Sequence, residues 1–381
     1  MFSRNYSILI ILTVFVVALI FSQQKTIAYG EDQRFSRSWP TTDFNKRTIS
    51  LDEIISGGPP KDGIPAIEDP QFITNNKAAN WLDPREPVIA VELHGQARAY
   101  PLQILMFHEI VNDKIDDTAI AVTFCPLCNA AIVFKSEIDG KTTTFGTTGM
   151  LRNSDLVMYD RLTMSWWQQF SGKGIVGKHA GKKLERINST IISFKEFQQL
   201  FPNGMTLSKK TGYSRNYGHN PYRGYDRIGN NPFLLKDPVD DRLPAMERVL
   251  GVIVNGISRV YPFSILSNLK LINDEVAGES IVIISNPGTL STLDATVIAN
   301  SKTTLAATAF SRKISGQTLT FYFAGDDIFD HETKSQWNFL GRAVEGSLKG
   351  TQLDNLEETG VHFAFAWLAF RPNSTVFKNA N

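Results

Sequence analysis

The sequence has almost no cysteine. Cys125 and Cys128 are the two in 381 residues, and a bond between such close neighbours would constrain little of the unfolded chain. A disulfide-stapled framework is therefore excluded as the source of stability. Net charge is lacking too: 39 basic residues against 38 acidic leave +1, so no field of one sign draws the chain to nucleic acid or an anionic membrane. Beyond the N-terminus, no apolar run approaches the roughly 20 residues that cross a bilayer. A phosphate-cradling loop is missing as well. Gly146-Thr147-Thr148-Gly149 has neither a following lysine nor a predicted helix, so no nucleotide cofactor is expected. Apolar residues make up 42%, enough for packed cores and too many for a disordered chain.

What is present begins with a targeting signal. Arg4 precedes the uncharged run Ile8–Phe21, which fits the core of a signal peptide, and Thr26-Ile27-Ala28 supplies small residues near a cleavage point. Residues 1–28 are expected to be a signal peptide or, uncleaved, an N-terminal anchor. The expected setting is extracytoplasmic: secreted, or held on the outer face of the cytoplasmic membrane through that segment alone.

The chain repeats itself. Val91–Pro101 resembles Val252–Pro262, both carrying Gly, Arg, Tyr and Pro at equal spacing. Asn112-Asp113 recurs as Asn273-Asp274, and Ile138–Phe145 as Ile314–Phe321. Asp160, Thr163, Ser165 and Trp167 return as Asp330, Thr333, Ser335 and Trp337. Alternating β-branched runs and Asp-Gly turns make each unit mostly strand, with short helices after Pro101 and at Ser193, where Glu196 completes a capping-box pattern. The expected fold is β-rich α+β, two tandem diverged copies of one domain. A Gly/Pro-rich lead-in spans 29–87, copy one 88–216, a connector packed by its aromatics 217–244, and copy two 245–381. Copy one gains an insertion near Met150–Val157 and copy two one near Leu290–Ala306.

Duplication supplies an internal control. Residues kept in both copies serve the shared fold, and those of one copy are free of that explanation. His108 aligns with Leu269, Cys125 with Asn286 and Cys128 with Thr289. A tight Cys-x-x-Cys turn between two strands sends both sulfurs to one side. Thiolate and imidazole together suit copper(I) or zinc. His108, Cys125 and Cys128 are the expected ligands, with Asp155 (for zinc) or Met150 (for copper) as a fourth. Met150, Arg152, Ser154, Asp155, Trp166 and Gln169 are the residues expected to line a small-molecule cleft beside them. The function expected is metal handling or redox in the cell envelope, with an unidentified redox or metal-transfer partner. Two alternatives stand beside it: a thiol–disulfide oxidoreductase using Cys125-Pro126-Leu127-Cys128, and a non-catalytic binder of a small ligand.

The stretches Gly57–Ile67, Tyr100–Asp113, Thr123–Asn129, Arg152–Gln169 and Asn220–Asp226 resemble the bacterial and archaeal family described as domain of unknown function 3179. Its usual histidine, Cys-Pro-x-Cys and Arg-x-Ser-Asp-Leu-x-Met-Tyr-Asp-Arg strings fall on His108, Cys125–Cys128 and Arg152–Arg161. The resemblance implies the domain limits and an envelope setting, and no particular reaction.

Overall fold

A computed structural model describes residues 34–379. The expected signal or anchor at 1–28 lies outside the described residues. The chain is β-rich, and its longest helices among the described residues, at Leu102–His108, Phe194–Leu200, Phe263–Leu269 and Ala364–Phe370, are each seven residues long.

The first half starts from a hairpin, Pro87–Leu93 with Gln96–Pro101. Its two-residue turn puts His94 and Gly95 both at positive φ, the backbone that matches strand twist. Thr190–Ser193 pairs antiparallel on one side of the hairpin and Met205–Leu207 parallel on the other. Leu102–His108 leads directly into a meander of Ile110–Ile115, Thr118–Cys125 and Ala130–Lys135. A third sheet holds Phe145–Arg152, Asp155–Asp160, Trp166–Gln168 and Lys173–Val176.

The second half runs through the same order. Arg248–Val254 and Ile257–Pro262 form the hairpin, flanked by Glu358–Phe363 antiparallel and Thr375–Val376 parallel. Leu271–Val276, Glu279–Leu290 and Thr303–Ser311 form the meander. The polar ties recur residue for residue. Tyr100 donates to Asp113 at 2.6 Å and Tyr261 to Asp274 at 2.7 Å. Arg98 pairs with Asp113 and Arg259 with Asp274. Trp167 Nε1 donates to Asp160 at 2.9 Å and Trp337 Nε1 to Asp330 at 3.0 Å.

The lead-in is woven into the first half. Ile54–Ser56 pairs with Arg152–Met150, and Phe72–Thr74 with Met205–Leu207. Gly57 N donates to Gly149 O at 2.8 Å. A Cβ on Gly149 would stand 2.0 Å from Pro59 O, so this contact admits glycine alone. The stretch 146–149 is thus strand against the lead-in. The halves also share one apolar core, in which Phe124, Cys125, Phe134 and Phe170 meet Val249, Phe363, Phe365 and Trp367.

Residues 217–244 hold no helix or strand. Tyr217, Tyr222 and Tyr225 pack on the shared core. Backbone bonds from Asn220 to Thr296, Gly224 to Asp294 and Ile298 to Gly218 pin this segment to residues 294–298 of the second half. Asp226, fully buried, accepts from Arg248 at 3.0 Å and Ser291 at 2.7 Å.

Candidate metal centre

Cys125 ends one strand of the meander and Ala130 begins the next. The link closes as a tight turn, with Asn129 N donating to Pro126 O at 3.2 Å and Asn129 at φ 50°. This places both sulfurs on one side, as the spacing predicts. A second turn delivers the third group: Asn153 and Ser154 both take positive φ, and Asp155 opens the returning strand. The sulfurs of Cys125 and Cys128 and a carboxylate oxygen of Asp155 lie within 4.8 Å of one another, all buried. Both cysteines are free thiols.

Asp155 is held from behind. Its Oδ2 accepts from Gln168 Nε2 at 2.5 Å and Phe170 N at 2.9 Å. Its Oδ1 has no hydrogen-bond partner among the described residues. A buried carboxylate beside two thiols is a donor set compatible with a bound cation. The electrostatics agree. Burial pushes the Asp155 carboxyl up to about 7, against opposing bonds from Phe170 and Gln168. Burial also raises the Cys125 thiol, and raises Cys128 well above the ordinary thiol range. Glu109 is pushed up to about 8 by burial and then by Asp155. Burial thus raises all four of these acids. A bound divalent ion would reverse that balance.

His108 is not part of this group. Its Nδ1 lies 2.7 Å from Pro65 O, a pure acceptor, so Nδ1 carries the proton and donates. Nε2 then accepts from the Tyr217 hydroxyl at 2.5 Å. Burial lowers the ring's basicity and keeps it neutral. The cause is local: the helix stops at His108, and Glu109 turns left-handed at φ 58°. The ring is left toward Pro65 and Tyr217, and it is the Glu109 carboxyl, one residue on, that feels Asp155. The expected Cys2His set is replaced by Cys2Asp.

The expected cleft does not assemble. Ser154 and Asp155 border the cysteine turn. Trp166 is fully buried among Phe35, Trp39 and Phe44, with ring centroids 5.1, 5.1 and 5.3 Å away, and Met150 packs on the same cluster. Arg152 donates to Glu53 at 2.7 Å. Gln169 Nε2 donates to Thr123 Oγ1 at 2.8 Å and Ala130 O at 3.1 Å, bracing the hairpin that carries the cysteines. Lead-in aromatics fill the space assigned to a ligand.

Three residues near the centre were not singled out from sequence. Glu109 adjoins the chosen histidine. Tyr222 and Tyr225 belong to the aromatic-rich connector; burial raises both hydroxyls, with Glu109 and Cys125 near Tyr222 and Cys128 and Cys125 near Tyr225 adding to it. The second half contributes as well: Phe363 N donates to Cys128 O at 3.0 Å.

No curated protein and no solved structure matches the chain. The family model described as protein of unknown function (DUF3179) matches residues 61–374, most of the chain, and the chain belongs to this family.

Proposed function

We propose that the protein binds a transition metal ion through Cys125, Cys128 and Asp155, and that it handles this metal in the cell envelope. The observation that carries the reading is a buried Asp155 carboxylate oxygen within 4.8 Å of two free buried sulfurs. Two thiolates and a carboxylate favour zinc, a borderline ion that accepts oxygen, over copper(I), which prefers softer donors. The envelope setting rests on the apolar run Ile8–Phe21 behind Arg4.

The two halves are read as diverged copies, of which the first keeps the centre. At the corresponding positions of the second half the strand Glu279–Leu290 runs on with only a bulge, and Asn286 Nδ2 donates to Glu196 Oε1 at 3.0 Å. The strand there serves packing between halves in place of ligation. The thiol–disulfide alternative asks for an exposed sulfur of low pKa. Both sulfurs are buried and raised, which counts against it.

The test is elemental analysis of the protein purified in reducing buffer without a metal-binding tag, beside the Cys125→Ser/Cys128→Ser and Asp155→Asn variants. Near-stoichiometric zinc in the wild type, lost from the double variant and at least tenfold weaker in Asp155→Asn, is the expected result. Absence of metal from the wild type, with no uptake of added zinc or copper(I), would sink the proposal.

A further inference from the structure

An open hollow of about 730 Å³ lies over the cysteine turn. Leu127, the one turn residue between the cysteines that is not buried away, forms its floor, and Pro221, Tyr222, Tyr225, Phe233 and Leu234 of the connector form its walls. Its shape is set from beneath: Ser154 Oγ donates to Phe233 O, and Phe233 N donates to Tyr225 Oη at 3.1 Å. The residue next to the metal ligand Asp155 therefore fixes the wall of the hollow.

Tyr222 and Tyr225 both line the hollow and lie close enough to the cysteines to feel them electrostatically. The two are held differently. Tyr225 is tied by Phe233, whereas no hydrogen bond holds the Tyr222 hydroxyl among the described residues. Arg223 lines the same hollow and makes no ion pair among the described residues. An apolar, partly aromatic chamber with one free guanidinium suits a small anion with an apolar body.

We infer that the metal keeps an exchangeable fourth position toward this hollow, reached past Tyr222, and that it takes a small carboxylate with an aromatic or branched apolar body. The inference rests on the metal reading above. Three protein ligands and one open position are the arrangement of reactive zinc sites, whereas structural sites are closed by four. Here three protein groups lie within 4.8 Å of one another, and the connector side is walled by Tyr222, whose hydroxyl takes no hydrogen bond among the described residues.

The full chain loaded with cobalt(II) tests it. Thiolate-to-cobalt charge-transfer absorption reports the ion on the cysteines, and the visible bands report its coordination. Phenylacetate is expected to shift the visible bands at a concentration at least tenfold below that needed for acetate. Phe233→Ala, at a half-exposed position that tolerates change, should bring the two probes together without altering the charge-transfer band. Leu127→Ala, from the floor, should do the same. Arg223→Gln should raise the concentration needed for both probes severalfold. A charge-transfer band that persists while neither carboxylate moves the visible bands would mean a closed, structural site and would overturn this inference alone. Equal potency of the two probes on the wild type would overturn the role of the hollow. No charge-transfer band at all would remove the metal reading and this inference with it.

Discussion

At the scale of single residues, the difference between His108 and Glu109 decides what the site is. Neither nitrogen of His108 is free: one donates to Pro65 O and the other accepts from Tyr217. His108→Ala should therefore leave metal stoichiometry unchanged, while losing two buried hydrogen bonds and packing at a cost of about 2–3 kcal/mol. Metal content and urea unfolding of the same preparation check both parts, and loss of the metal in a folded variant would return His108 to the ligand set. Glu86 gives a separate residue-scale expectation. It is 4% exposed and accepts from Gln103 at 2.7 Å, yet burial pushes its carboxyl up to about 7 from an ordinary 4.5. The folded state binds the proton more tightly than the unfolded chain. This group's stabilising contribution is thus full below about 4.5 and lost as pH rises through about 7. Glu86→Gln, whose carbonyl still accepts from Gln103, should gain roughly 2 kcal/mol over the wild type at pH 8 and much less at pH 5. A gain of equal size at both pH values would show that the charge is not the cause.

At the scale of elements, the same turns and caps that were legible in sequence build the site, and long-range contacts reassign their side chains. The helix after Ser193 forms as the capping pattern predicts, with Ser193 Oγ accepting from Glu196 N at 3.2 Å. Ser193→Ala should cost about 1 kcal/mol, read as a shift of the unfolding midpoint. The other half of that box is not made: Glu196 turns outward to accept from Asn286, some ninety residues away in sequence. The Cys-x-x-Cys turn was equally legible because its geometry is local. Asp155 was named from its type and position as a zinc ligand, but His108 was preferred because spacing cannot reveal a left-handed residue at a helix end. Trp166 was assigned to a cleft for a similar reason. Its partners Phe35, Trp39 and Phe44 lie more than 120 residues earlier, and no periodicity announces that a lead-in will fold back to cover a sheet.

At the scale of the whole molecule, two units that look separable in sequence are fastened at three places. Phe363 N reaches Cys128 O across the halves, the shared core runs through Phe170 and Trp367 at 5.9 Å, and the connector is locked by Asp226. Asp226 is the key to that lock. Arg248 and Lys302 hold its carboxyl below the usual range despite burial, and Ser291 adds a hydrogen bond. Asp226→Ala would leave the Arg248 guanidinium buried without its counter-charge, a loss of about 3–5 kcal/mol. Since the same residue anchors the connector that carries Tyr222 and Tyr225, the variant should also release its metal to a chelator at least tenfold faster under conditions where it stays folded. A shared core further implies one cooperative transition. Unfolding followed through the first-half tryptophans (with Trp337 and Trp367 replaced by Phe) should coincide with unfolding followed through the second-half pair. If the two probes separate by more than the width of a transition, the halves fold independently. The metal centre would then have to be complete without Phe363, and Asp226→Ala should leave metal release unchanged. Coincident transitions with faster release would tie the centre's stability to the docking of the second half, which holds no ligand of its own.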